Sequence, residues 1–142
     1  MIDILLVEDN PGDVRLTQEA FKEGRLRNQL HVVMDGEAAM QYLKQQGDYA
    51  AVPRPDLILL DLNLPKMNGR EVLSAIKNDP DLKRIPVVVL TTSQDETDIT
   101  ESYRQFASSY IVKPVSMEKF IGVVSSFKEY WLSVVKLPNV QE

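Results

Sequence analysis

Short aliphatic runs alternate along this chain with longer stretches in which apolar positions recur every three or four residues. The first run, residues 2–7, is too short for a helix and apolar on both faces, as in a strand covered on both sides. Asn10-Pro11 then supplies a helix cap and a first helical residue. Val14, Leu16, Ala20 and Phe21 give that helix its apolar positions, up to an expected stop at Gly24. Residues 30–34 read as a second strand, and Asp35 as the cap of a helix carrying Ala38, Ala39, Tyr42 and Leu43. Residues 46–55, with Gly47, Pro53 and Pro55, read as a loop. A third strand covers 56–61, a helix about 70–78 carries Val72, Leu73 and Ile76 on one side, and a β-branched fourth strand covers 86–91. A weaker fourth helix over about 96–106, a fifth strand over 109–112 and a last helix over about 117–135 complete the pattern.

Five strands alternating with five helices imply an α/β fold: a doubly wound parallel sheet with helices on both faces. At 142 residues the chain reads as one domain, residues 1–135, followed by a short tail, residues 136–142. The apolar content of 44% is enough for one ordinary core. With no cysteine, disulfides, thiolate metal sites and cysteine nucleophiles are excluded. The net charge of -5 argues against direct nucleic-acid binding. No basic leader opens the chain, and no apolar stretch approaches the ~20 residues that span a bilayer, so the expectation is a cytoplasmic protein with no membrane partner. The single histidine, His31, falls in a strand and carries no assigned role.

Alternation alone leaves the strand order open, but a doubly wound sheet puts its site at the carboxyl ends of its strands. Polar residues collect there: Glu8 and Asp9 after the first strand, Asp61 at the end of the third, Thr91 and Thr92 after the fourth, Lys113 after the fifth. Singly, each has a bland explanation as a solvated loop acid, a strand-forming threonine or a surface lysine. Their joint placement favours a site. Asp61 is the most informative, because a carboxylate at the tip of a buried strand is costly unless charge is needed there. Three carboxylates meeting at one edge repel one another unless a cation or protons neutralise them. The reading is a Mg²⁺ site beside an aspartate that accepts a phosphoryl group.

On Val7-Glu8-Asp9-Asn10, Leu60-Asp61-Leu62-Asn63-Leu64-Pro65, Met67-Asn68-Gly69, Leu90-Thr91-Thr92-Ser93 and Tyr110-Ile111-Val112-Lys113-Pro114, the chain resembles the receiver domains of two-component response regulators, from about residue 2 to 131. The resemblance implies a flavodoxin- or CheY-like sheet of order 2-1-3-4-5. It implies that Asp61 accepts a phosphoryl group from a histidine kinase, and that Asp9, Asp61 and the backbone carbonyl of Asn63 bind Mg²⁺, with Glu8 acting through water. Lys113 and Thr91 would contact the phosphoryl oxygens, Thr91 and Tyr110 would form the switch, and the Lys113-Pro114 bond would be cis. Partners would read the face formed by the fourth helix, the fifth strand and the fifth helix.

With no output domain in sequence, the expected function is that of a single-domain regulator that turns over no external substrate. The motif Val7 to Asp13, the long 46–55 loop and the aromatic last helix resemble the small regulators paired with cyanobacterial and bacterial phytochrome kinases, the Rcp type. In the last helix Phe120, Val124, Phe127 and Trp131 follow a core-facing spacing, while Val123, Tyr130 and Val134 widen the stripe past one face. Aromatic residues on the uncovered part point to a partner surface, and the resemblance to the Rcp type implies that Phe127, Tyr130 and Trp131 lie in a homodimer interface. The downstream protein target is not named by the sequence. A haloacid-dehalogenase-type phosphatase needs a second acid two residues after the nucleophile, where this chain has Asn63. A flavodoxin-like FMN binder needs a phosphate-cradling first loop, and the acids of residues 8–13 would repel one. A receiver fold that binds without phosphorylation is disfavoured by the intact acceptor, metal and lysine positions.

Overall fold

The computed structural model describes residues 2–24, 27–92 and 109–124. Five parallel strands, β1 (Ile2–Val7), β2 (Asn28–Val33), β3 (Leu57–Asp61), β4 (Val87–Thr91) and β5 (Ser109–Val112), form one sheet in the order β2-β1-β3-β4-β5. The described helices are α1 (Pro11–Glu23), α2 (Gly36–Leu43), α3 (Gly69–Lys77) and the last helix, Met117–Val124; a single 3-10 turn, Gly47–Tyr49, sits in the expected loop. The fourth predicted helix, and Phe127, Tyr130 and Trp131, lie outside the described residues.

Period-2 alternation divides the strand residues between two cores. Leu5, Val7, Ile58, Leu60, Val87 and Val89 pack with Tyr42, Leu43, Val72, Leu73 and Ile76 of α2 and α3. Ile4, Leu6, Leu57, Leu59, Val88 and Leu90 pack on the other face with Phe21 of α1 and Phe120 of the last helix, whose rings meet edge-on at 4.8 Å. The central strands are mostly apolar because both of their faces are covered, with Asp3, Asp61 and Thr91 near their ends. β1 lies between β2 and β3, so the winding reverses there, and the crevice opens at the carboxyl ends of β1 and β3.

Two local expectations need correction. Leu16 does not face the core; it is 49% exposed, and the buried positions of α1 are Thr17 and Phe21. Five residues at 100° each carry Leu16 about 140° round the helix from Phe21, so apolar character alone misassigned it. α1 does end at Gly24, but with extended backbone rather than a left-handed cap. A Cβ on Gly24 would run into the Met117 side chain, so close packing suits glycine there.

Candidate functional site

Strand register builds the site. Val7 pairs with Leu60, which brings the next residues, Glu8 and Asp61, to the same level on adjacent strands. Asp61 pairs with Leu90 and Thr91 with Val112, so Thr91 and Lys113 end the neighbouring strands at the same edge. The Lys113 N–H donates to the Thr91 carbonyl at 2.7 Å, tying the lysine loop to β4. The Lys113-Pro114 bond is cis. Tyr110 pairs with Val89, which puts it on the same sheet face as Thr91, one same-face position further back. It stands outside the charged cluster.

The loop after Asp61 is fixed from both sides. Leu62 and Leu64 are buried, the Asn63 N–H donates to Asp61 Oδ1 at 3.0 Å, and the Gly69 N–H donates to the Leu62 carbonyl at 3.0 Å. A Cβ at Gly69 would collide with the backbone at Asp61 and Leu62, so only glycine lets α3 start this close to the strand tip. Asn68 and Glu71 close a reciprocal capping box at that helix start. On the outer side, a Cβ at Gly36 would strike the Met67 carbonyl, so α2 also begins against this loop. None of these contacts is visible in periodicity.

The electrostatics are one-sided. Carboxylate oxygens of Glu8, Asp9 and Asp61 lie within 4.8 Å of one another. Glu8 and Asp61 are buried and Asp9 is exposed. Lys113, its side chain 9% exposed, is the cation among them: Nζ is 2.7 Å from Glu8 Oε1 and 3.2 Å from Asp61 Oδ2. It also reaches Asp13 Oδ2 at 3.1 Å, a residue that sequence reasoning did not place in the site. The contact to Glu8 is one of charge, since Oε1 is left without an aligned hydrogen bond. Burial pushes the Glu8 carboxyl up to about 7; the Asp61 carboxylate adds to the rise, and Lys113 and the Asn10 N–H oppose it. Burial works against the Lys113 ammonium, yet the surrounding Glu8, Asp61 and Asp13 carboxylates outweigh it and lift its pKa above the ordinary lysine value.

An all-oxygen set of three carboxylates, one with a buried oxygen that lacks an aligned hydrogen bond, fits a hard divalent cation. One ammonium cannot balance so many acids. The structure therefore brings together Glu8, Asp9, Asp61 and Lys113, with Thr91 and Asn63 adjoining, in a geometry suited to divalent cation binding.

The response regulator receiver domain matches this chain over residues 4–125, and the chain belongs to that family. It is a receiver-domain response regulator of two-component signalling, the class that pairs with histidine kinases. Among its relatives, the response regulator Rcp1 of Synechocystis sp. is 51% identical over 95% of this chain and 92% of its own length. The Mn²⁺-bound structure of Rcp1 superposes with a TM-score of 0.75 at 50% identity, covering 97% of this chain and 99% of that one. The phosphorylated cyanobacterial phytochrome response regulator RcpA gives 0.74 at 52% identity over 96% and 98% of the two chains. The bacteriophytochrome response regulator RtBRR gives 0.84 at 40% identity over 99% and 86%. The flavodoxin- or CheY-like sheet order expected from the sequence is the one observed. Among the described residues, no helix is long and apolar enough to cross a membrane.

Proposed function

We propose that Asp61 is the phosphoacceptor of this regulator, with a phytochrome-type histidine kinase as donor. The observation that carries this reading is the buried carboxylate of Asp61 at the tip of β3, flanked by Glu8 and Asp9 and contacted by Lys113. A carboxylate oxygen of Asp61 attacks phosphorus as the bond to the kinase imidazole nitrogen breaks, and that nitrogen keeps the electron pair. Asp9, Asp61 and the Asn63 carbonyl, with Glu8 acting through water, would hold Mg²⁺. When bound, the cation neutralises charge between the acids and the phosphoryl oxygens. Lys113 releases Asp61 to meet one phosphoryl oxygen, and Thr91 gives its hydroxyl to another. Tyr110, on the face it shares with Thr91, reports the new charge to partners.

The regulator acts by binding rather than on an external substrate, as a homodimer through the fourth predicted helix, β5 and the last helix, with Phe127, Tyr130 and Trp131 at the interface. Support comes from the widened aromatic stripe of the sequence and from Val112, 40% exposed on β5. The receiver occupies residues 1–135, ahead of the tail. Phosphotransfer from purified histidine kinases of the same genome, phytochrome-type included, tests the main reading with Asp61→Ala as control. Label that persists in the variant overturns the acceptor, and transfer only from other kinases overturns the donor. Light scattering tests the dimer: a monomer at tens of micromolar, with and without phosphorylation, rejects it.

A further inference from the structure

Lys113 and Asp13 are joined across 100 residues of chain. Asp13 lies in the first turn of α1, where its N–H donates to the Asn10 cap and its carbonyl accepts the Thr17 hydroxyl. An acid at this position normally serves the helix itself, by favouring the positive end of its dipole. Here the side chain, 30% exposed, turns toward the site and places Oδ2 3.1 Å from the Lys113 ammonium. An ammonium has three hydrogens. Glu8, Asp13 and Asp61 supply three carboxylates around it, at 2.7, 3.1 and 3.2 Å. Asp13 and Asp61 accept hydrogen bonds from it, and Glu8 meets it by charge.

We propose that Asp13 is a positioning residue for phosphorylation, acting through Lys113; this rests on Asp61 being the acceptor. In phosphorylation the lysine must stay within reach of the incoming phosphoryl group without masking the carboxylate that attacks it. Glu8 and Asp13 share the ammonium that donates to Asp61 at 3.2 Å and so weaken its hold on that carboxylate. Without the Asp13 carboxylate, Lys113 pairs more tightly with Asp61, and the nucleophile is less available. The contact that ties the Asp13 carboxylate to the site is the one to Lys113, so the proposed effect passes through the lysine.

The test uses acetyl phosphate with Mg²⁺, whose phosphorus bonds to Asp61 as its bond to acetate breaks and acetate leaves with the electron pair. Asp13→Asn keeps the shape and the helix position but loses the charge. It is expected to slow phosphorylation on the order of tenfold, the effect of losing one charge-assisted hydrogen bond, with the native circular dichroism spectrum retained. Asp13→Glu should recover much of the rate. Repeated in a Lys113→Ala background, with label followed over hours, Asp13→Asn should change the rate less than twofold, because the group it acts through is gone. A wild-type rate in Asp13→Asn overturns the proposal. So does an equal slowing with and without Lys113, which would mark a direct charge effect on the donor. If wild-type protein takes no label at all, the acceptor reading fails instead.

Discussion

Two groups of acids sit at opposite ends of β1, with Asp3 near its start and Glu8 just past its end, and they behave differently. Toward the start of the strand, Asp3 accepts from His31 Nε2 at 3.0 Å, and its backbone exchanges hydrogen bonds with Asp56, N–H to Oδ2 at 2.8 Å and carbonyl from N–H at 2.7 Å. Each acid there has neutral or cationic partners of its own. At the other end, Glu8 and Asp61 share Lys113 with Asp13, and Glu8 keeps a buried oxygen with no hydrogen bond among the described residues. The first group is satisfied by the fold and explains itself as structure. The second is left with excess negative charge by the fold, which a divalent cation would neutralise. Burial of acids is common to both; what separates them is whether the protein alone completes the set.

The largest effect that would sharpen this contrast is on chemistry. Asp61→Asn should reduce phosphorylation by acetyl phosphate or a kinase by at least roughly a hundredfold, whereas Asp3→Asn should leave the initial rate within about twofold. Label in Asp61→Asn at the wild-type level would break the distinction.

Next comes the response to a cation. Mg²⁺ at about a hundred times its dissociation constant should stabilise the protein by about 2.7 kcal/mol, seen as a melting temperature several degrees higher than in chelator. Asp9→Ala should remove most of that rise and Asp3→Asn none of it. An equal rise in both variants would mean that the ion binds elsewhere.

A smaller effect is expected at the satisfied group. Asp3→Asn weakens the His31 pair, whose side chains are 19% and 25% exposed, and should cost about 1 kcal/mol in denaturant unfolding. A cost near zero would show that this group is not structural.

The smallest effect concerns Tyr42, which packs near His31 and Tyr49 with its hydroxyl buried and unpartnered among the described residues. Tyr42→Phe should hold or raise stability, by about 1 kcal/mol or less. Burial pushes the hydroxyl up to about 12, with the charges of Asp3 and Tyr49 adding to it. Ionisation is thus harder in the folded state than in the unfolded chain, where the value is near 10. The stability linked to this group is fully present below pH 10 and is lost as pH rises from there through about 12. Unfolding curves at pH 9 and 11 should show a steeper loss for wild type than for Tyr42→Phe; parallel losses would exclude this linkage.

The sequence by itself determined the succession of strands and helices along the described residues, the cap residues Asn10 and Asp35, and the candidates Glu8, Asp9, Asp61, Thr91 and Lys113. Each of these is encoded locally: hydrophobic period reports burial, and a polar residue at the end of an apolar run stands out against it. The tertiary structure decided the rest. Leu16 and Thr17 are adjacent in sequence, and only packing against the sheet shows that the threonine is buried and the leucine exposed. Asp13 looks like an ordinary first-turn acid until the fold carries Lys113 to within 3.1 Å of it. Gly36 and Gly69 look like turn residues until the loop after Asp61 is seen to press against both. Local pattern encodes which stretches form elements and where helices are capped, because those depend on near neighbours. Which charges share a partner depends on register and winding across the sheet, and those are fixed only when distant segments meet.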